Sequence, residues 1–140
     1  MKPNSIEELF GTLIESTTAT WRKHLKTDKY RRHMALDEFY KEMPEKVDDL
    51  IECWQGLFGK VGEYINLFKD SASMTAIEYL EELHEMCEEG RKLLQGKSEL
   101  ESAMDDVLQQ IDSTLYKLKE FTNESYIIDL KDFLNESLEE

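Results

Sequence analysis

Histidine and carboxylate side chains recur at helical spacing in the stretch HMALDEFYKEMPEKVDDLIE, residues 33–52. His33 and Asp37 stand at i and i+4, and Asp48 and Glu52 repeat that spacing. On a helix, such a pair shares one face and can grip a single cation from one side. With Leu36 at the centre of the core face and about 100° per residue, His33 falls at about 60°, Asp37 at about 100°, Asp48 at about 120° and Glu52 at about 160°. All four lie on one flank, and each pair is half of a metal site.

The two halves cannot meet within one chain, because the helix separates Asp37 from Asp48 by roughly 16 Å. Their arrangement is palindromic, since 33 with 52 and 37 with 48 share a midpoint just beyond residue 42. A second copy of the helix, packed antiparallel across a two-fold axis, would set 33 opposite 52 and 37 opposite 48. Two equivalent sites per homodimer are expected. His24, on the apolar face near the end of the preceding helix, could cap each site from the side, or could simply act as a favourable cation at a helix C-terminus. The expected ligand set is His24, His33 and Asp37 from one subunit with Asp48 and Glu52 from its mate. Two imidazoles and three carboxylates with open positions suit iron as Fe(II), with zinc or manganese as competitors.

The elements that must position these residues are helical. Only two prolines and six glycines interrupt the chain, and Leu, Glu and Lys dominate it, so an all-α fold is expected. A first helix is predicted from about Ser5 to Leu25, with Ile6, Leu9, Phe10, Leu13, Thr17, Thr20 and His24 inward. The second, from about Tyr30 to Phe58, carries Leu36, Phe39, Tyr40, Met43, Val47, Leu50, Ile51, Trp54 and Phe58 at helical period. Pro44 should kink it or break its hydrogen-bond ladder. A long connection, GKVGEYINLFKDSAS, follows, with Tyr64, Ile65, Leu67 and Phe68 as a short packed helix. The third helix is predicted from Met74 to Leu94 and the fourth from Glu99 to Phe121, with a fifth short helix at about 125–138. The expected architecture is one domain over 1–140, a ferritin-like four-helix bundle at about 5–121 with a long crossover between its second and third helices.

Composition narrows the function classes. A net charge of -14 opposes direct DNA binding and anionic membranes, and concentrates cations instead. No apolar run reaches membrane-spanning length, and MKPNSIEELF has acidic residues where a signal peptide would be apolar, so a cytoplasmic protein is expected. Cys53 and Cys87 lack metal or redox spacing and are read as reduced thiols. Trp21 and Trp54 are read as core residues near the site. Glu81 and His84 form E-x-x-H on the third helix, but no second copy exists to build a di-iron centre inside one bundle. No phosphate loop, nucleophile elbow or zinc motif is present.

HMALDEFY followed by DDLIE at this offset resembles the Dps family, the bacterial mini-ferritins, whose second helix carries H-x-x-x-D-x-x-Y and then D-E-x-x-E. The resemblance is specific over about Trp21 to Glu52 and looser elsewhere. It implies a ferroxidase centre at a two-fold interface in a hollow shell, usually a dodecamer, that oxidises Fe(II) with peroxide or dioxygen and stores or detoxifies the iron. Three features depart from that pattern: Trp21 stands where the family's first-helix histidine is expected, Pro44 interrupts the second helix, and the N-terminus has no Lys-rich tail. The connection HLKTDKYRRHMALDEFY is also similar to that of short ferritin-like proteins encoded by phages. A non-enzymatic helical assembly or host-interaction protein, with the metal stripe vestigial or structural, is the alternative expectation.

Overall fold

Residues 1–120 are described by a computed structural model, and they form four α-helices and two short 3-10 turns with no strand among them. Phe121 and the fifth helix expected at 125–138 lie outside the described residues. Helix α1 spans Ile6–Lys26; Ser5 caps it by accepting from the Glu8 N–H, and Glu7 and Glu8 sit at its positive end. Helix α2 spans Tyr30–Phe58 and α4 spans Ser98–Glu120, within a residue of expectation. Helix α3 is shorter than predicted, Ala76–Gly90, because Thr75 and Glu78 close a capping box at its start and the chain tightens into a 3-10 turn over Arg91–Leu94.

Pro44 does not end α2, which runs unbroken from Tyr30 to Phe58 with the proline inside it. Pro44 is exposed, and Phe39, Met43, Val47 and Leu50 are buried on either side of it. Tertiary packing of both halves outweighs the one backbone bond that proline removes.

Side-chain contacts fix the helix directions. Phe10 packs edge-on against Trp54, and His24 against His33, so α1 and α2 are antiparallel. Lys117 bonds Glu38, which places the end of α4 beside the start of α2. Arg91 bonds Glu101 and Asp105, making α4 antiparallel to α3. The directions are up, down, down, up, so α2 and α3 run parallel and need a long crossover between them.

That crossover, residues 59–75, is a strap laid along α1. Its Ile65 N–H donates to the Glu7 carbonyl, its Leu67 N–H to the Thr12 hydroxyl, and its Ser71 and Met74 carbonyls accept from the Lys23 ammonium. Glu7 and Thr12 are separated by roughly 7.5 Å of helix, a span that two strap residues cover only when extended, at about 3.3 Å each. The short helix expected at Tyr64 to Phe68 is therefore absent: in that conformation the strap could not reach. Phe68 is buried, whereas Tyr64 and Ile65 are exposed.

The core is apolar where the periodicity places it. Leu9, Phe10, Leu13, Leu36, Phe39, Met43 and Leu50 are buried, as are Leu83, Met86, Met104, Val107, Ile111 and Leu118. On α1 the polar part of the buried face is Thr12, Ser16, Thr20 and His24, an i, i+4 row; Thr17, expected inward, is half-buried. The hydroxyls of Thr12, Ser16 and Thr20 are satisfied by carbonyls of their own helix. Tyr40 and Trp54 are half-buried and Phe58 is exposed at the end of α2.

The strap presses on α1 at Gly11, where a Cβ would run into the backbone of Ile65. An ordinary mid-helix Gly→Ala change stabilises by up to ~1 kcal/mol. Gly11→Ala should do the reverse and destabilise by about 2 kcal/mol through overpacking, measured by urea unfolding; a gain in stability would refute the strap's placement.

Candidate metal centre

Residues 27–29 turn α1 into α2, and this short link sets the last turn of one helix against the first turn of the other. His24 and His33, one from each turn, stack with ring centroids 3.6 Å apart and planes inclined by 27°. Each imidazole Nδ1 donates to the other residue's backbone carbonyl, at 2.8 Å from His24 and 3.0 Å from His33. A carbonyl can only accept, so both Nδ1 atoms carry a proton. In the neutral rings Nε2 then holds a lone pair, the tautomer a metal ligand needs.

His24 is 5% exposed, and its Nε2 lies 3.8 Å from Asp37 Oδ1. Asp37, one turn beyond His33, also takes the Lys41 ammonium at 3.0 Å and the Tyr40 hydroxyl at 3.1 Å. Burial by itself would raise the Asp37 carboxyl; the bonds from Lys41 and Tyr40, with the Lys41 and His24 charges, outweigh it and hold the group below the usual carboxylate range. The Tyr40 ring stacks on Trp21 at 5.6 Å and meets His24 edge-on at 5.1 Å. Trp21 is 50% exposed and covers the outer side of the cluster, so it is not the core residue expected. Trp54 does pack inward, edge-on to Phe10.

The structure thus gathers His24, His33 and Asp37 at the α1–α2 corner. It does not bring Asp48 and Glu52 to them: both are exposed on the same helix, roughly 16 Å or more farther along it. Among the described residues, no group of three or more His, Cys, Asp or Glu side chains is close enough to hold a metal ion. Helix α1 covers the flank of α2 at His33 and α4 reaches it at Glu38, while Met34, Asp48 and Glu52 between them are exposed.

The remaining candidates resolve as surface pairs or packing. His84 pairs with Asp112 at 3.0 Å and Glu81 with Lys119 at 3.5 Å, tying α3 to α4. Cys53 is half-buried and Cys87 buried, both unpaired, and burial pushes the Cys87 thiol up. Sequence reasoning missed Tyr40 and Lys41 as partners of Asp37, although their i+3 and i+4 spacing was readable. It also passed over a cationic run, Arg22 to Arg32, which flanks the histidines in the chain.

A family model described as a family of unknown function, DUF5856, matches residues 24–118. The chain belongs to this family. All five candidate ligands of the DUF5856 chain, from His24 to Glu52, fall inside the matched region. Over 59 residues the chain is 30% identical to an uncharacterized 14.6 kDa protein in the mobD-ri intergenic region of Enterobacteria phage T4. That stretch is 42% of this chain and 46% of the phage protein, so the similarity spans about half of each. No solved structure matches this DUF5856 member. Among its described residues, no helix is long and apolar enough to cross a membrane.

The Asp37 interactions make a signed prediction. A depressed carboxyl stabilises the fold above its unfolded value of about 4, and that contribution disappears as pH falls through the folded value. Urea unfolding of the protein and of Asp37→Asn should show a stability gap that is constant above about pH 5 and closes in acid. A gap independent of pH would mean that the Asp37 charge contributes nothing.

Proposed function

We propose that this protein is a Dps-like iron-binding protein whose subunits pair through α2 and oxidise Fe(II) at two inter-subunit sites. The observation that carries the reading is the exchange of Nδ1 bonds between His24 and His33, which leaves the Nε2 lone pair of each neutral ring unused by either backbone and sets that of His24 3.8 Å from Asp37. Metal-binding histidines usually donate their other ring N–H to a carbonyl or carboxylate in this way, which fixes the tautomer and the ring's orientation.

On this reading Fe(II) is substrate. His24, His33 and Asp37 bind it from one subunit, with Asp37 released from Lys41, and Asp48 and Glu52 of a second copy close the site. The two-fold axis would pass near Pro44, which is exposed. An exposed Trp21, stacked on Tyr40, and an exposed Met34 supply apolar surface beside the charged stripe. The net charge of -14 draws cations toward the protein. In the oxidation, two Fe(II) each give up one electron, and one peroxide takes both with two protons and leaves as two waters; dioxygen is the other candidate oxidant. A hollow oligomer such as a dodecamer, storing or detoxifying the iron in the cytoplasm of a bacterium or of a phage-infected cell, extends the same reading.

A second reading has an observation of its own in favour. Asp37 is already satisfied by Lys41 and Tyr40, and the histidine pair is a complete interhelical clasp without any ion. The protein would then be a non-enzymatic helical assembly or host-interaction protein. Native mass spectrometry before and after anaerobic Fe(II) addition separates the two. The iron-binding reading expects a dimer or larger closed oligomer taking up one or two irons per subunit. Asp48→Ala combined with Glu52→Ala should keep the fold yet slow Fe(II) oxidation at least tenfold. A monomer without iron uptake, or an unchanged rate in the double variant, would sink the proposal.

A further inference from the structure

A cavity of about 470 Å³ opens on the side of α1 that faces the strap, between the end of α1, the start of α2 and residues 66–76. Its size is that of a small-molecule pocket, about 300–1,000 Å³. Five cationic side chains line it, Arg22, Lys23, Lys26, Arg32 and Lys69, against one carboxylate, Glu15. In a chain with 31 acidic and 17 basic residues, that local excess is opposite to the charge of the whole.

Lys23 is committed to the strap carbonyls of Ser71 and Met74. Burial first, and the Lys26 charge second, push the Lys23 ammonium down, as expected where positive charge is crowded. The other four cations have no hydrogen-bond or ion-pair partner among the described residues. Arg32 is the telling case, because its Nε is buried and has no hydrogen-bond partner among the described residues. A buried donor left unsatisfied costs about 1–3 kcal/mol, so it marks a place where an acceptor belongs. Leu36, Phe68 and Tyr79 add apolar wall.

We infer that this cleft binds a phosphate-bearing small molecule, its phosphate held by Arg32 with Arg22, Lys26 and Lys69 and its organic part against Phe68 and Leu36. Guanidinium groups match phosphate geometry with two parallel donors. A nucleic acid strand fits less well, because the charge beyond the cleft is negative and would repel a long polyanion. The site is separate from the metal stripe, since neither histidine lines the cavity.

The test is calorimetric titration of the full-length, metal-free protein with inorganic pyrophosphate at low ionic strength. Saturable binding at one per chain is expected, weakening as salt rises. Arg32→Met should lower the affinity at least tenfold without lowering the melting temperature, because Nε has no partner to lose among the described residues. If that variant fails to fold, Lys26→Gln with Lys69→Gln, both at exposed positions, should weaken binding at least fivefold. Absence of saturable binding, wild-type affinity in the folded Arg32→Met protein or in the double variant, or equally tight binding of citrate would each overturn the inference.

Discussion

Two imidazoles that exchange hydrogen bonds with each other's backbone carbonyl close the corner between α1 and α2, and much of the molecule follows from that closure. The two bonds, each contributing about 1 kcal/mol net, fix how far along α2 the end of α1 sits. That register places the His24 ring against Tyr40 and Asp37 on one side of the corner. On the other side it turns Arg22, Lys23 and Lys26 of α1 toward Arg32 of α2. One local contact thus orders both the polar flank and the basic cleft.

The corner also shows how charge can be partitioned in a small acidic protein. Carboxylates stand along the exposed flank of α2, whereas cations from either side of residues 27–29 collect where α1, α2 and the strap converge. Cations and anions approaching such a molecule are drawn to different places. Net charge describes the far field, but over distances shorter than a Debye length of about 8–10 Å the local arrangement decides.

The sequence made the helices legible because their apolar residues repeat at 3.6 over many turns; Leu36 to Leu50 on α2 and Met104 to Leu118 on α4 left little choice of face. The His33 and Asp37 pair was legible for the same reason, since i, i+4 spacing on a known helix fixes direction. Pro44 removes one bond of the ladder, as its chemistry requires, and α2 continues through it over the range the periodicity marked, because the packing that holds both halves comes from other helices. The strap misled because INLF is apolar enough for a helix, and only the distance along α1, a non-local quantity, forbids one. The basic cleft was hidden by net charge: Arg22 and Arg32 are ten residues apart in sequence, and only the closed corner brings them to one cavity.

The strap has one more consequence, for the lengths that relatives can adopt. It is pinned to α1 at Glu7, Thr12 and Lys23, so the two segments act as a pair of matched rulers with different gradations. A helix advances about 1.5 Å per residue and an extended chain about 3.3 Å. An insertion of four residues into α1, about one full turn that keeps the same face toward the strap, must therefore be answered by about two in the strap, and a deletion likewise. Length changes in these two segments are coupled.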